Sequence, residues 1–345
     1  MKKLALIGAS GYAGLEFCRW VSHHPNLQIT ALLVSPQSVY LGQTIGQFCA
    51  ELAHLGLPPL EASTDENIAR LTTEVDGVVL ATEHEVSANI IGKIVDSGVA
   101  IFDLSGGYRL KDPSLYERYY GFAHPRPDLL QSAAYGLAEW NAEAIASAQV
   151  VAVPGCYPTA AQLALKPLLA FAEQQGNTLS QPPVINAVSG VSGAGRKAKT
   201  GSHFCEVSLH PYGIFSHRHT PEIVQGVGTE VVFTPHLGAF KRGILATINV
   251  AFEQAVDQQA LRGHFDSTYS NAPLVRLCHT PTPAIQAVEK TPFCDLGVYT
   301  QGNQVILVSA IDNLVKGAAG QALQCVNLHF GWPSETGMLP ASKGE

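Results

Sequence analysis

The feature that most constrains this chain lies at its amino end. Residues 3–7 form an apolar run that reads as a buried strand. Gly8-Ala9-Ser10-Gly11-Tyr12-Ala13-Gly14 follows at once, and residues 15–24 then read as a helix. A strand, a glycine turn and a helix in that order form the phosphate-binding unit of a Rossmann-like sheet. Glycines let the backbone turn sharply and let a pyrophosphate approach the helix N-terminus. The spacing is GxxGxxG, not the commoner GxGxxG, and glycines also occur in strand-to-helix turns that bind nothing. Its place on the first strand of an alternating series favours the nucleotide reading, with Gly8, Ser10, Gly11, Tyr12 and Gly14 as candidate contacts.

The alternation continues with strands over 27–34, 75–81 and 99–104 and a helix over 85–96, which predicts an α/β fold. The second strand should end near the adenosine ribose, where an NAD site usually places a carboxylate. No carboxylate occurs between Glu16 and Glu51; Ser35, Gln37 and Ser38 stand there instead. Hydroxyls can donate to a 2'-phosphate, so the pattern favours NADP, with Ser35 and Ser38 as contacts. The turns at 81–85 and 103–109 lie at C-terminal strand ends, where ligands bind in open sheets. The second holds Ser105 and Arg109. Arg109 either clamps a phosphate or carboxylate or forms a structural ion pair.

Cys156 is the chemical centre of the sequence. It stands in Val153-Pro154-Gly155-Cys156-Tyr157-Pro158-Thr159, between a strand at 150–153 and a helical run to about residue 172. Pro158 suits a first helical turn. A thiol there feels the positive end of the helix dipole, which favours thiolate. The alternative is a small buried hydrophobe in a turn, but the other six cysteines lack this setting.

A polar linker at 174–183 leads to strands at 184–188, 231–234, 244–252, 295–301 and 304–311. Residues 189–197, Ser-Gly-Val-Ser-Gly-Ala-Gly-Arg-Lys, either cradle an anion or form a flexible loop; Arg196 and Lys197 are the candidate cations. His217-Arg218-His219-Thr220-Pro221-Glu222 places two imidazoles on one side of an extended segment. No third metal ligand is nearby in sequence, so no metal is expected. His219, nearer Glu222, is the candidate base for the thiol. Glu222 would orient the imidazole and His217 would contact substrate. Pro235-His236-Leu237 and Lys241-Arg242-Gly243, between strands, could add a cation at a sheet end. Residues 312–328 open a small-faced helix suited to close packing on a helix or a ligand, and the polar tail from Ser334 reads as frayed.

Composition bounds the rest. The 345 residues suggest two domains, and a net charge of -7 argues against a nucleic-acid surface. No apolar run reaches membrane-spanning length, and the first apolar stretch is too short for a signal peptide. Seven scattered cysteines without a CxxC argue for reduced thiols in a cytoplasm.

Taken together, GASGYAG, DLSGGYRL, AVPGCYPTA, SGVSGAGRK, HRHTPEI, FTPHL with KRGIL, and DNLVKGAAGQA resemble the N-acetyl-gamma-glutamyl-phosphate reductase family of the aspartate-semialdehyde dehydrogenase superfamily. They span nearly the whole chain in order. The resemblance implies an NADP-binding domain over 1–155, completed by a helix at 313–330, and a catalytic and oligomerisation domain over 156–312. It places Asn313 near the nicotinamide. It implies NADPH-dependent reduction of an acyl phosphate, N-acetyl-glutamyl 5-phosphate, through a Cys156 thioester, releasing phosphate, in arginine biosynthesis. It also implies a homodimer or homotetramer. Ser105, Arg109, Arg196, Lys197 and His217 are then the substrate-binding candidates. Three rival readings are a reductase of another acyl phosphate, a Cys-His hydrolase or transferase, and a non-catalytic NADP sensor. GCYPT with HRHTPEI argues against the first. GASGYAG argues against the second, and the presence of Cys156 and His219 against the third.

Overall fold

The computed structural model describes residues 1–339. The chain divides into two compact units. One comprises Met1–Pro154 with the chain from Ala318 onward, the other Gly155–Gly317.

In the first unit, β1 (Lys2–Ile7), β2 (Leu27–Val34), β3 (Leu60–Ala62), β4 (Gly77–Leu80), β5 (Ala100–Asp103), β6 (Ala134–Tyr135) and β7 (Val150–Ala152) form one sheet. The order is β3-β2-β1-β4-β5-β7-β6, and every neighbouring pair is parallel. Strands of such a sheet are covered on both faces and read as unbroken apolar runs. All four residues of β4 and of β5 are buried. The strand order reverses between β1 and β4, which sets a ligand crevice at the C-terminal ends of these strands.

The last helix, Gly320–His329, completes this unit. It packs against β5 and the helices Tyr12–Val21 and Ala142–Ser147. Gln321 Nε2 and Cys325 Sγ both donate to the Gly136 carbonyl, at 3.0 and 3.1 Å. Beyond it, the tail differs from the expected frayed end. Asn327 Nδ2 donates to the carbonyls of Ser334 and Thr336 at 2.9 and 3.0 Å, and Met338 is buried. Residues 340–345 of that expected tail lie outside the described residues.

The second unit contains β8 (Val184–Gly190), β9 (His210–Pro211), β10 (Val232–Gly238), β11 (Ile244–Ala251), β12 (Val275–Leu277), β13 (Cys294–Gln301) and β14 (Gln304–Ile311). They form a mixed sheet in the order β12-β13-β14-β11-β8-β10-β9. The helix Cys156–Gln174 packs on β11 and β14 and on the helices His219–Val227 and Gln258–Thr268. Ile185, Phe233, Ile248 and Leu307 are fully buried in this core. The opposite face is different. Asn186, Thr247 and Val308 align across it, as do Val188, Leu245 and Ala310. These aligned side chains are uncharged.

β10 extends to Gly238, so Pro235, His236 and Leu237 are strand residues and not the expected connection. No helix among the described residues is long and apolar enough to cross a membrane.

Candidate active site

The glycine turn after β1 separates two demands on the backbone. Gly8 has φ +91°, and a Cβ there would collide with the Ala81 carbonyl. Gly14 sits in the first helical turns, where a Cβ would lie 2.6 Å from the Gly8 carbonyl oxygen. Both are required by the protein's own packing. Gly11 is not: its φ is -76°, and a Cβ would meet nothing nearer than 3.5 Å. Gly11 is the N-cap of the helix Tyr12–Val21, and the chain's own packing leaves its backbone open. That helix has no acidic residue in its first turn. An N-terminus with that opening fits a dinucleotide pyrophosphate. After β2, Ser35 and Ser38 sit on an exposed turn closed by Ser38 N–H to the Ser35 carbonyl at 2.8 Å; Ser35 Oγ donates to Gln37 Oε1 at 2.7 Å.

The turn after β5 is a buried polar network. Ser105 Oγ donates to Asp103 Oδ2 at 2.8 Å and accepts Gly107 N–H at 3.0 Å. Burial raises the Asp103 carboxyl above the usual carboxylate range, opposed by the Ser105 hydrogen bonds. Arg109 Nε donates to the Val153 carbonyl and Nη2 to the Leu104 carbonyl, each at 2.7 Å. Ser105 and Arg109 were expected to contact substrate. Both are buried, and the bonds described hold the turn.

Cys156 is the first residue of a 19-residue helix with no acidic side chain in its first turn. Gly155 is the N-cap, and the thiol stands at the positive end of the dipole. His219 starts another helix, His219–Val227, and is 6% exposed. The Tyr157 ring links the two, 6.0 Å from the His219 ring and 5.7 Å from that of His217. The imidazoles lie 4.9 Å apart, and His219 N–H donates to His217 Nδ1 at 3.1 Å. The segment is not extended as expected. Arg218 already has helical backbone angles, φ -59° and ψ -18°, so a helix start brings the rings together. Burial, and secondarily the Arg218 charge, lowers the His217 pKa to about 4. His217 is thus uncharged at neutral pH, as its acceptor role requires.

Glu222, fully buried, accepts Gly155 N–H at 2.8 Å through Oε1. The sequence suggested that it orients an imidazole; its observed bond is to the turn that carries the nucleophile.

The Ser189–Lys197 segment is strapped, not loose, over its first half. Gly190, Val191 and Ser192 donate to the carbonyls of Gly243, Phe240 and Lys241 at 3.0, 2.9 and 3.1 Å. Asn313 pins both sides, accepting Gly243 N–H at 2.7 Å and donating to Ser192 Oγ at 3.0 Å. Asn313, expected beside the nicotinamide, here ties the two sides of this segment together. Arg196 is half-buried and Lys197 exposed. Sequence reasoning missed the anchor next to Asn313. Asp312 accepts Arg242 Nε and Nη2 at 2.9 and 3.0 Å and the N–H groups of Lys290, Leu314 and Val315. No group of three or more His, Cys, Asp or Glu among the described residues could hold a metal ion.

A Rossmann-like unit and a second α/β unit bearing a helix-borne thiol are the architecture of a semialdehyde-type dehydrogenase. Residues 3–148 match the semialdehyde dehydrogenase NAD binding domain, and residues 156–313 the semialdehyde dehydrogenase dimerisation domain. The chain is 51% identical to N-acetyl-gamma-glutamyl-phosphate reductase of Aliivibrio fischeri over 342 residues, covering 98% of this chain and 100% of the relative. It is 50% identical to that of Yersinia pseudotuberculosis and 48% to that of Shigella flexneri, with the same coverage. Among solved structures, aspartate semialdehyde dehydrogenase II of Vibrio cholerae has a TM-score of 0.71 at 16% identity, covering 95% of this chain and 98% of that one. The Candida albicans enzyme with NADP has a TM-score of 0.66 at 14% identity, with 97% and 99% covered. The chain belongs to the N-acetyl-gamma-glutamyl-phosphate reductase family of semialdehyde dehydrogenases.

Proposed function

We propose that this protein reduces N-acetyl-glutamyl 5-phosphate to N-acetyl-glutamate 5-semialdehyde with NADPH, releasing phosphate, as a step of arginine biosynthesis in the cytoplasm. The observation that carries the chemistry is Cys156 at the start of a long helix, with Tyr157 packed edge-on against the His217–His219 pair. The substrate assignment rests on the relatives at 48–51% identity over essentially the full length.

His219 takes the thiol proton, and the Cys156 thiolate attacks the acyl carbon. The C–S bond forms as the C–O bond to phosphate breaks, leaving a thioester on Cys156. The reduced cofactor, when bound, supplies the hydride. Backbone N–H groups at the start of the Cys156 helix hold the oxyanion that develops. Its collapse breaks the C–S bond and frees the aldehyde, and His219 returns the proton to sulfur. Arg196, Lys197 and His217 are proposed to bind the substrate's phosphate and carboxylate. Ser105 and Arg109, also expected as substrate contacts, are proposed to act through the turn after β5 that their hydrogen bonds shape.

Gly8, Ser10, Gly11, Tyr12 and Gly14 would hold the pyrophosphate, and Ser35 and Ser38 the 2'-phosphate, which favours NADP over NAD. The uncharged rows across β8, β11 and β14 on the outer face of the second sheet, flanked on β13 and β12 by the paired Asp295 and Arg276, support homodimer formation through that face.

The test is the reverse reaction. N-acetyl-glutamate 5-semialdehyde, phosphate and NADP+ should give NADPH absorbance that needs phosphate and vanishes in Cys156→Ser. Turnover with aspartate semialdehyde alone would overturn the substrate.

A further inference from the structure

His217 stands in a cage of rings within the second unit. Tyr157 lies 5.7 Å from its ring at 89°, Tyr212 5.4 Å at 69° and Phe233 5.5 Å at 84°. These are edge-on contacts, a geometry that aromatic rings favour. Three elements supply them: the Cys156 helix, the residue after β9, and β10. The cage is tied together. The Tyr212 hydroxyl donates to the Tyr157 hydroxyl at 3.4 Å, and the Tyr157 hydroxyl donates to the His236 carbonyl at 2.9 Å. Tyr212 N–H donates to the Pro235 carbonyl at 3.0 Å, which fixes its main chain to β10. Tyr212 also stands near the nucleophile. Burial raises its pKa, the Tyr157 hydrogen bond opposes this, and the charge of Cys156 adds to the rise.

A further contact is the His219 N–H bond to His217 Nδ1 at 3.1 Å. A ring nitrogen that accepts carries no proton, so in the neutral imidazole the proton sits on Nε2. His217 therefore offers one N–H donor and no charge at neutral pH.

We infer that Tyr212 is a positioning residue whose ring closes the cage around His217, holding one orientation and one tautomer so that Nε2–H is kept for an oxygen of the substrate. This role rests on the proposed function, in which His217 binds substrate. Without the flat ring the imidazole can turn about its Cβ–Cγ bond, leave the His219 N–H and admit water. Either nitrogen can then hold the proton. The hydroxyl bond of Tyr212 is long for an O–H donor, so the ring and not the hydroxyl carries the effect. Tyr212 is uncharged at neutral pH, so replacing it changes packing and leaves the local charge as it was.

Two substitutions test this. Tyr212→Phe keeps the ring, and Tyr212→Leu keeps apolar bulk without it. The first readout needs no substrate: nitrogen–proton correlation spectra of the imidazoles at pH 7, with the His217 signals identified by their loss in His217→Asn. Wild type and Tyr212→Phe should show one neutral His217 form, protonated on Nε2. Tyr212→Leu should show both nitrogens partly protonated. The second readout is KM and kcat for N-acetyl-glutamyl 5-phosphate. KM should rise by about tenfold or more in Tyr212→Leu with kcat changed less, and Tyr212→Phe should recover most of that loss. A single Nε2–H form in Tyr212→Leu would overturn the inference. Equal losses in the two variants would overturn it in favour of a role for the hydroxyl. A wild-type chain that does not turn over this substrate would defeat the proposed function instead, while the spectra would still decide whether Tyr212 holds His217.

Discussion

A Cβ on Gly317 would lie 2.7 Å from the Cβ of Cys156 and 3.1 Å from its Cα. The glycine belongs to a π-helical turn, Val315–Ala319, that follows the buried Asp312. Its N–H donates to the Asp312 carbonyl at 2.9 Å. The backbone of the 312–317 turn is thus pressed against the nucleophile, and Asp312 anchors it there.

Gly317→Ala should displace Cys156. A methyl forced into a filled space costs about 1–3 kcal/mol. Here the shift falls on the reactive sulfur, so kcat should fall by roughly tenfold for each ~1.4 kcal/mol lost from the transition state. The check is kcat beside the thermal midpoint: activity should fall more than stability. Equal activity to wild type would mean that the turn yields without moving the thiol.

The turn after β1 gives a paired prediction. Gly14→Ala meets the Gly8 carbonyl oxygen at 2.6 Å and should lower the thermal midpoint. Gly11→Ala meets nothing closer than 3.5 Å and should leave the midpoint unchanged while weakening NADPH binding by about tenfold or more. Calorimetric titration with NADPH and thermal unfolding of both variants separate the two effects.

Much of this architecture was legible in the sequence, and the exceptions have physical causes. β2 matches its expected span residue for residue because eight strand residues give an unambiguous apolar run. β3 and β6 have three and two residues, too few to carry a periodic signal. The start of the His219 helix was read as extended because Arg218 makes no side-chain cap that would mark it. Cys156 and His219 stood out by local context. Glu222 did not reveal its partner, since Gly155 is 67 residues away. Arg109 shows the same limit: its bonds to the Val153 and Leu104 carbonyls leave no mark in the sequence.

The Arg242–Asp312 pair should matter for the second unit's stability. Asp312 is fully buried, and Arg242 meets it through two nitrogens. Removing one partner of a buried pair costs about 3–5 kcal/mol because the other charge is stranded. Arg242→Met should therefore lower stability by that order in denaturant titration, while Lys241→Met, on the exposed side of the same hairpin, should change it little.

His217 should make stability fall in mild acid. Its pKa is about 4 in the folded chain against 6.5 ordinarily. Between these values the unfolded chain binds the proton and the folded chain does not, so stability is full above about pH 6.5 and declines toward pH 4. His24, His124 and His329, also lowered by burial, act in the same direction. Unfolding curves at pH 7 and pH 5 should show a smaller loss for His217→Asn than for wild type.

The central claim is a thioester on Cys156, and rapid acid quench with intact-mass analysis tests it most directly. Mixed with N-acetyl-glutamyl 5-phosphate and no cofactor, the wild-type chain should gain one N-acetyl-glutamyl group, mapped to the Cys156 peptide and released by hydroxylamine. Cys156→Ser should gain none. An adduct on another residue, or NADPH oxidation at the wild-type rate by Cys156→Ser, would contradict the account.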